Sequence, residues 1–183
     1  MVTYAQAIGS MSPALVHRLF NRVCGMEIAG LPLHPLVVHA VVVLAPIAAL
    51  VAIAYALFPS WRWALRWILI ATAVIATTAG VIAASSGESL LDSLPGLKES
   101  ASMETHEERG ELLRNVLLVF VVLAGIACWR LGGPSGLVSG KGAKSRHGGA
   151  IDTAVSVLLT IAAIAVLAAT FFAGHTGAVV VWG

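Results

Sequence analysis

Apolar and polar positions alternate in long blocks along this chain, with apolar runs at 34–58, 63–85, 112–131 and 151–173. Each run has about 20 residues, enough to cross roughly 30 Å of hydrocarbon at about 1.5 Å per residue. In lipid, every backbone N–H and C=O must find its partner within the segment, so the runs are predicted to be helices despite their Val and Ile content. The expected fold is all-α: an integral membrane four-helix antiparallel bundle spanning 31–183. Residues 1–30 form a separate amphipathic segment.

The stretches between the runs differ in charge. Arg62 and Arg66 flank the junction of the first two runs, and Arg130, Lys141, Lys144 and Arg146 lie between the last two; neither stretch holds an acid. The middle stretch, 87–111, carries Glu88, Asp92, Glu99, Glu104, Glu107, Glu108 and Glu111 against Lys98 and Arg109. Basic loops stay in the cytoplasm. Both termini and the acidic stretch are therefore expected outside a bacterial plasma membrane. Trp61, Trp63, Trp67 and Trp129 fall at the expected inner interface and Trp182 at the outer one, as in an aromatic belt. Arg18 and Arg22, in the outward N-terminal segment, run against this rule.

In that segment Ser12-Pro13 is a helix start, and Leu15, Val16, Leu19, Phe20 and Val23 share a face opposite Arg18, Asn21 and Arg22. This pattern predicts a short helix lying in the membrane interface. It is not that of a signal peptide, since no apolar core follows the charges, and Met26 offers an alternative start. The Gly-, Ser- and Lys-rich stretch 132–149 reads as a flexible loop, with His147 a solvated residue in it.

Composition agrees with a membrane protein: 58% hydrophobic and 11% charged, against roughly 25% charged in soluble domains. No basic tract interleaved with aromatics points to nucleic acid. The two cysteines, Cys24 and Cys128, form no disulfide framework, and no Cys-x-x-Cys-His is present for covalent haem attachment.

The candidate chemistry lies in four histidines at the expected outer ends of three runs: His34, His39, His106 and His175. Ionisable residues at membrane depth are costly and mark functional sites. His34 and His39, five apart, are separated by about 140° on an ideal helix, so one regular face cannot offer both to one ion. Pro35 suits a first helical position, leaving His34 at the cap, with His39 a turn inside and Pro46 below it as a source of a kink. Gly110 lies one turn below His106 and would admit a flat group. Arg114, on nearly the same face, needs Glu111 or a ligand carboxylate as partner. Gly80, Ala84 and Gly87 leave one face of the second run nearly bare, either for packing or for a planar cofactor.

The motif Leu31-Pro32-Leu33-His34-Pro35-Leu36-Val37-Val38-His39, followed by Pro46-Ile47, resembles the bacterial membrane family of domain of unknown function 2231. That family opens on a His-Pro-x-x-Val-His-x-Pro-Ile type of motif. It carries a histidine near the start of its third helix and a Gly-rich end to its fourth, matched here by His106 and Gly174-His175-Thr176-Gly177. Here the proline follows His39 by seven residues instead of within the next turn. Relatives fused to Rieske or cytochrome-like domains imply electron transfer.

The leading expectation is a b-type haem electron-transfer protein with His39 and His106 as axial ligands. Gly110 would admit the porphyrin and Arg114 would meet a propionate, with Glu88 or Glu107 behind His106. The alternatives are a copper, zinc or iron ion held among His34, His39, His106 and His175, or a non-catalytic accessory subunit. The lipid bilayer is the expected partner, together with a redox or respiratory-complex protein.

Overall fold

Four long helices follow from the four apolar runs. The structure, a computed structural model, describes residues 27–28, 31–93, 101–131 and 149–182. Its helices are α1 (Leu33–Leu57), α2 (Arg62–Ser93), α3 (Ala101–Leu131) and α4 (Ala150–Trp182). All four are long and apolar enough to cross a membrane. A 3-10 turn, Pro59–Trp61, joins α1 to α2. Ahead of α1, the short strands β1 (Glu27–Ile28) and β2 (Leu31–Pro32) pair antiparallel. The interfacial helix expected within 1–30, His17 and the loop at 132–148 lie outside the described residues.

Each helix packs on its chain neighbours and α1 also packs on α4, which closes the ring. This puts α1 and α3 on one diagonal and α2 and α4 on the other. At one end, three helices outrun their apolar stretches. There α2 continues to Ser93, α3 begins at Ala101 and α4 continues to Trp182. This is the histidine end; the other end carries Arg62, Arg66 and Arg130.

Buried positions step by four and three. On α3 they include Leu113, Leu117, Phe120, Ala124, Ala127 and Leu131; on α1, Val41, Ala45, Ala48, Ala52 and Tyr55. On α2, Leu69, Ala73, Ala76 and Ala83 keep the same rhythm, with Gly80 and Gly87 in register. A period of about 3.5 residues is that of coiled-coil seams, in which side chains of one helix enter gaps between those of its neighbours. Alanines of α1 and α2 take up the bulk of leucine and phenylalanine from α3. A Cβ on Gly80 would lie 2.7 Å from Leu117 Cδ1, so this part of the bare face of α2 is filled by packing.

Polar groups in the bundle are tied to backbone. Thr77 Oγ1 donates to the Leu117 carbonyl (3.2 Å) and Thr170 Oγ1 to that of Val166 (2.7 Å). Tyr55, fully buried, donates to Ala127 O at 3.4 Å. At the end of α1, Arg62 donates to the carbonyls of Tyr55 (3.0 Å) and Ala56 (3.1 Å), which the helix end leaves free. The helix α1 runs unbroken through Pro46, so the proline removes one bond without ending the element.

Most outward side chains are large and apolar, as expected of a lipid-facing surface, where helices have no water to avoid. Trp61, Trp63, Trp67 and Trp129 are exposed at the arginine end, and the Arg66 guanidinium sits 4.7 Å from the Trp67 ring centre. Trp182 is exposed at the histidine end.

Candidate metal centre

The seam positions at the histidine end carry histidine and glycine instead of aliphatic residues. His34 lies seven residues before Val41 on α1, and His106 seven before Leu113 on α3, so both continue the inward rows. Their rings meet across the α1–α3 diagonal, with centroids 6.4 Å apart and planes at 85°. Both side chains are half-buried.

Each ring rests on the end of an even-numbered helix. His34 Nδ1 is 2.8 Å from the Ala83 carbonyl of α2. A carbonyl only accepts, so Nδ1 carries the proton. Ser86 Oγ donates to the same carbonyl at 3.1 Å and lies 3.5 Å from His34 Nδ1. His106 Nδ1 is 3.3 Å from Thr176 Oγ1 of α4. That hydroxyl directs its one proton to the Phe172 and Ala173 carbonyls, both at 3.1 Å. Toward His106 it therefore accepts, and Nδ1 again carries the proton.

Glycine makes the close approach of both rings possible. A Cβ at Gly87 would lie 2.9 Å from His34 Cε1, and one at Gly177 would lie 3.0 Å from His106 Cε1. The arrangement occurs twice: Ala83-Ala84-Ser85-Ser86-Gly87 cradles the histidine of α1, and Ala173-Gly174-His175-Thr176-Gly177 that of α3. In each, a hydroxyl bonds the alanine carbonyl three residues back, and glycine follows. The α1–α2 and α3–α4 hairpins thus contribute matching halves to one site.

With Nδ1 committed as donor, Nε2 is the nitrogen through which each ring, in its neutral form, can offer a lone pair. Among the described residues neither Nε2 has a hydrogen-bond partner. Neutral imidazoles fixed in this way, one nitrogen tied to a backbone or side-chain oxygen and the other bare, have the form taken by metal-binding histidines.

The other candidate residues lie elsewhere. His39 is exposed on α1, its Nδ1 against the Pro35 carbonyl of its own helix. Five residues separate it from His34, so the inward direction of His34 turns His39 away by about 140°. His175 is exposed and stacks on Phe171, with centroids 6.3 Å apart. The convergence of His39, His106 and His175 expected from their common depth is thus replaced by a His34–His106 pair. A Cβ on Gly110 would meet nothing within 4 Å, so the space beside it is open, whereas Gly87 and Gly177 each lie against a histidine ring. Arg114 pairs with Glu111 at 3.6 Å, the nearer of its two expected partners. Glu88 and Glu107 are exposed, and Thr176 takes the place expected for them behind His106. Ser86 and Thr176 were not singled out by sequence reasoning, although the repeated Ala-x-x-Ser/Thr-Gly at two run ends was a signal for them.

No curated protein and no solved structure shows a significant match to the chain. One family profile does match, over residues 30–183, the segment that holds the four helices and both histidine cradles. The chain therefore belongs to the DUF2231 family of predicted membrane proteins.

Proposed function

We propose that this protein holds a transition-metal ion at the outward end of its membrane bundle, with His34 and His106 as the imidazole ligands. The observation that carries the reading is the ring pair itself: two rings 6.4 Å apart with both Nδ1 atoms committed as donors. An oriented neutral imidazole suits copper, zinc or iron. Purified protein exposed to each ion in turn, then desalted, is expected to retain about one ion per chain, as metal sites of matched ligand and geometry do. The variant lacking both His34 and His106 is expected to retain none. Equal retention by that variant would refute the reading.

A second reading, a b-type haem, draws on the same spacing, since axial imidazoles on opposite sides of an iron also stand roughly 6 Å apart. Its axial pair would be His34 and His106 in place of His39 and His106. The close contacts around the pair favour a bare ion over a porphyrin. Bare faces that would admit the disc are filled, Gly80 by Leu117, Gly87 by the His34 ring and Gly177 by the His106 ring. A Soret band in the purified protein would favour the haem over the bare ion.

The outward orientation rests on the basic residues Arg62, Arg66, Arg130, Lys141, Lys144 and Arg146 at the opposite end. In a Lys141→Cys variant of intact cells, a membrane-impermeant thiol reagent is expected to leave this cysteine unlabelled until the membrane is opened. Labelling from outside would invert the topology and put the histidine pair on the cytoplasmic side.

A further inference from the structure

We infer that the groove between α1 and α4 at the arginine end holds one anionic phospholipid, with its phosphate on Arg62 and one acyl chain along the apolar wall. This site is independent of the histidine pair, which lies at the opposite end of the bundle.

The groove arises from side-chain size. Ala56 of α1 and Thr153, Ser156 and Thr160 of α4 are small where the two helices meet, and Leu57, Val157 and Ile161 stand beside them. The space so left is about 270 Å³, below the roughly 300–1,000 Å³ of pockets that enclose a small molecule. Leu57, Val157 and Ile161 are exposed, so the groove opens on the lipid-facing surface. A chain lying along the helices suits such a shape.

Its two ends differ in chemistry. Ile161 lies about two turns deeper in the bundle than Thr153, and Thr160 Oγ1 donates to the Ser156 carbonyl at 2.8 Å. The deep end therefore offers apolar surface. At the shallow end Arg62 Nη2 donates to Ser156 Oγ at 3.4 Å, which brings the guanidinium to the groove wall. The bonds to the Tyr55 and Ala56 carbonyls pin it there. All three acceptors are uncharged, so the positive charge of Arg62 is not neutralised by them. Trp61, the preceding residue, is exposed, and tryptophans of membrane proteins sit at headgroup level. Arg62 is thus at the depth of lipid phosphates.

Charge names the occupant. Over the whole sequence, the two connections at this end, 58–66 and 129–152, carry six basic residues and one acid, Asp152. That carboxylate lies 3.7 Å from Arg130. The remaining positive charge is complementary to a phosphate, which a guanidinium meets with paired N–H groups. A basic group beside a groove between membrane helices has the form of a headgroup site, and the cytoplasmic leaflet is the one rich in anionic lipid. The ammonium of a zwitterionic lipid would be repelled by the same basic end.

The test uses the full chain in mild detergent, titrated with dioleoylphosphatidylglycerol, dioleoylphosphatidylcholine or inorganic phosphate, with bound lipid counted by native mass spectrometry. The expected result is one phosphatidylglycerol per chain, held at least ~5-fold more tightly than phosphatidylcholine, the scale of one basic residue at an anionic surface. An excess of inorganic phosphate, which has no chain for the groove, is expected not to displace it. Arg62→Gln is expected to remove the preference for phosphatidylglycerol. Arg66→Gln takes a charge from the same end, but its guanidinium lies over the Trp67 ring. Binding is expected to hold within about twofold there, since a charge away from the phosphate is screened. If Arg62→Gln elutes as aggregate, Thr153→Phe serves instead. Thr153 is an exposed lining residue, so a ring there fills the groove, keeps the Arg62 bonds and is expected to abolish lipid binding. Four results would overturn the inference: phosphatidylcholine held as tightly as phosphatidylglycerol, equal losses in Arg62→Gln and Arg66→Gln, displacement by phosphate alone, or a lipid-free dimer of chains that Thr153→Phe dissociates.

Discussion

Replacing Phe120 by alanine is expected to lower the free energy of unfolding by about 3–5 kcal/mol, the largest single loss in the bundle. Phe120 is fully buried on the α3 seam, and the facing rows of α1 and α2 are mostly alanine. Alanine has no rotamers with which to fill a space, so the void left by the ring would persist, and a persistent cavity makes such a substitution costly. The comparison is Val119→Ala one position away, where the side chain is exposed; a change within about 0.5 kcal/mol is expected there. Both are read from loss of helical circular dichroism during denaturation in mild detergent. If the two variants lose stability equally, Phe120 faces lipid and the seam assignment of α3 is wrong.

The second large effect is expected at the cradles. Gly87→Ala places a methyl carbon 2.9 Å from His34 Cε1, and Gly177→Ala one 3.0 Å from His106 Cε1. The ring is the movable partner, so it is displaced and its Nδ1 bond stretches. Ion affinity is expected to fall by roughly 10–100-fold in each variant, the range seen when the groups that orient a ligand are disturbed. Stability is expected to fall by no more than about 1–3 kcal/mol, the ordinary cost of overpacking. Gly110→Ala separates a cradle effect from a general effect of removing glycine. A methyl group there meets open space, and alanine favours helix by up to about 1 kcal/mol, so affinity is expected to hold and stability to rise slightly. Unchanged affinity in both cradle variants would mean that the rings do not act as the ligands.

The helices were legible because length and apolarity decide the matter in a membrane: a run of about 20 apolar residues has one way to satisfy its backbone. Their extra turns at the histidine end were not legible. Residues 101–111 are polar and charged, and the apolar signal is silent about helices that continue into water. The histidines were legible as a group, but which two rings meet was not. Ranking them by depth favoured His39, which lies deeper than His34 but faces outward. Ranking by seam position selects the other pair: His34 leads into Val41, Ala45 and Ala48, and His106 into Leu113, Leu117 and Phe120. Depth sets the cost of a polar group, whereas rotation about the helix axis sets what it can touch. The glycines that receive the rings were not legible for a related reason: Gly110 was the expected one. It shares the row of His106, but the surface that receives the ring belongs to α4, and which helix is the neighbour is a fact of packing that one helix cannot reveal.

The doubled cradle has a mechanical consequence. Each hairpin supplies one ring and holds the other hairpin's ring by nothing but proximity, so an ion bound between them is a rivet joining two separately threaded halves of the chain. It would sit where helix ends fray first. A ligand present at a thousand times its dissociation constant adds about 4 kcal/mol to the state that binds it. Here that gain would add to the packing that keeps α1–α2 and α3–α4 together. A chain severed between Ser93 and Ala101 would keep the seam packing of its two halves, such as Leu117 on Gly80, but is expected to unfold more readily once a chelator removes the ion.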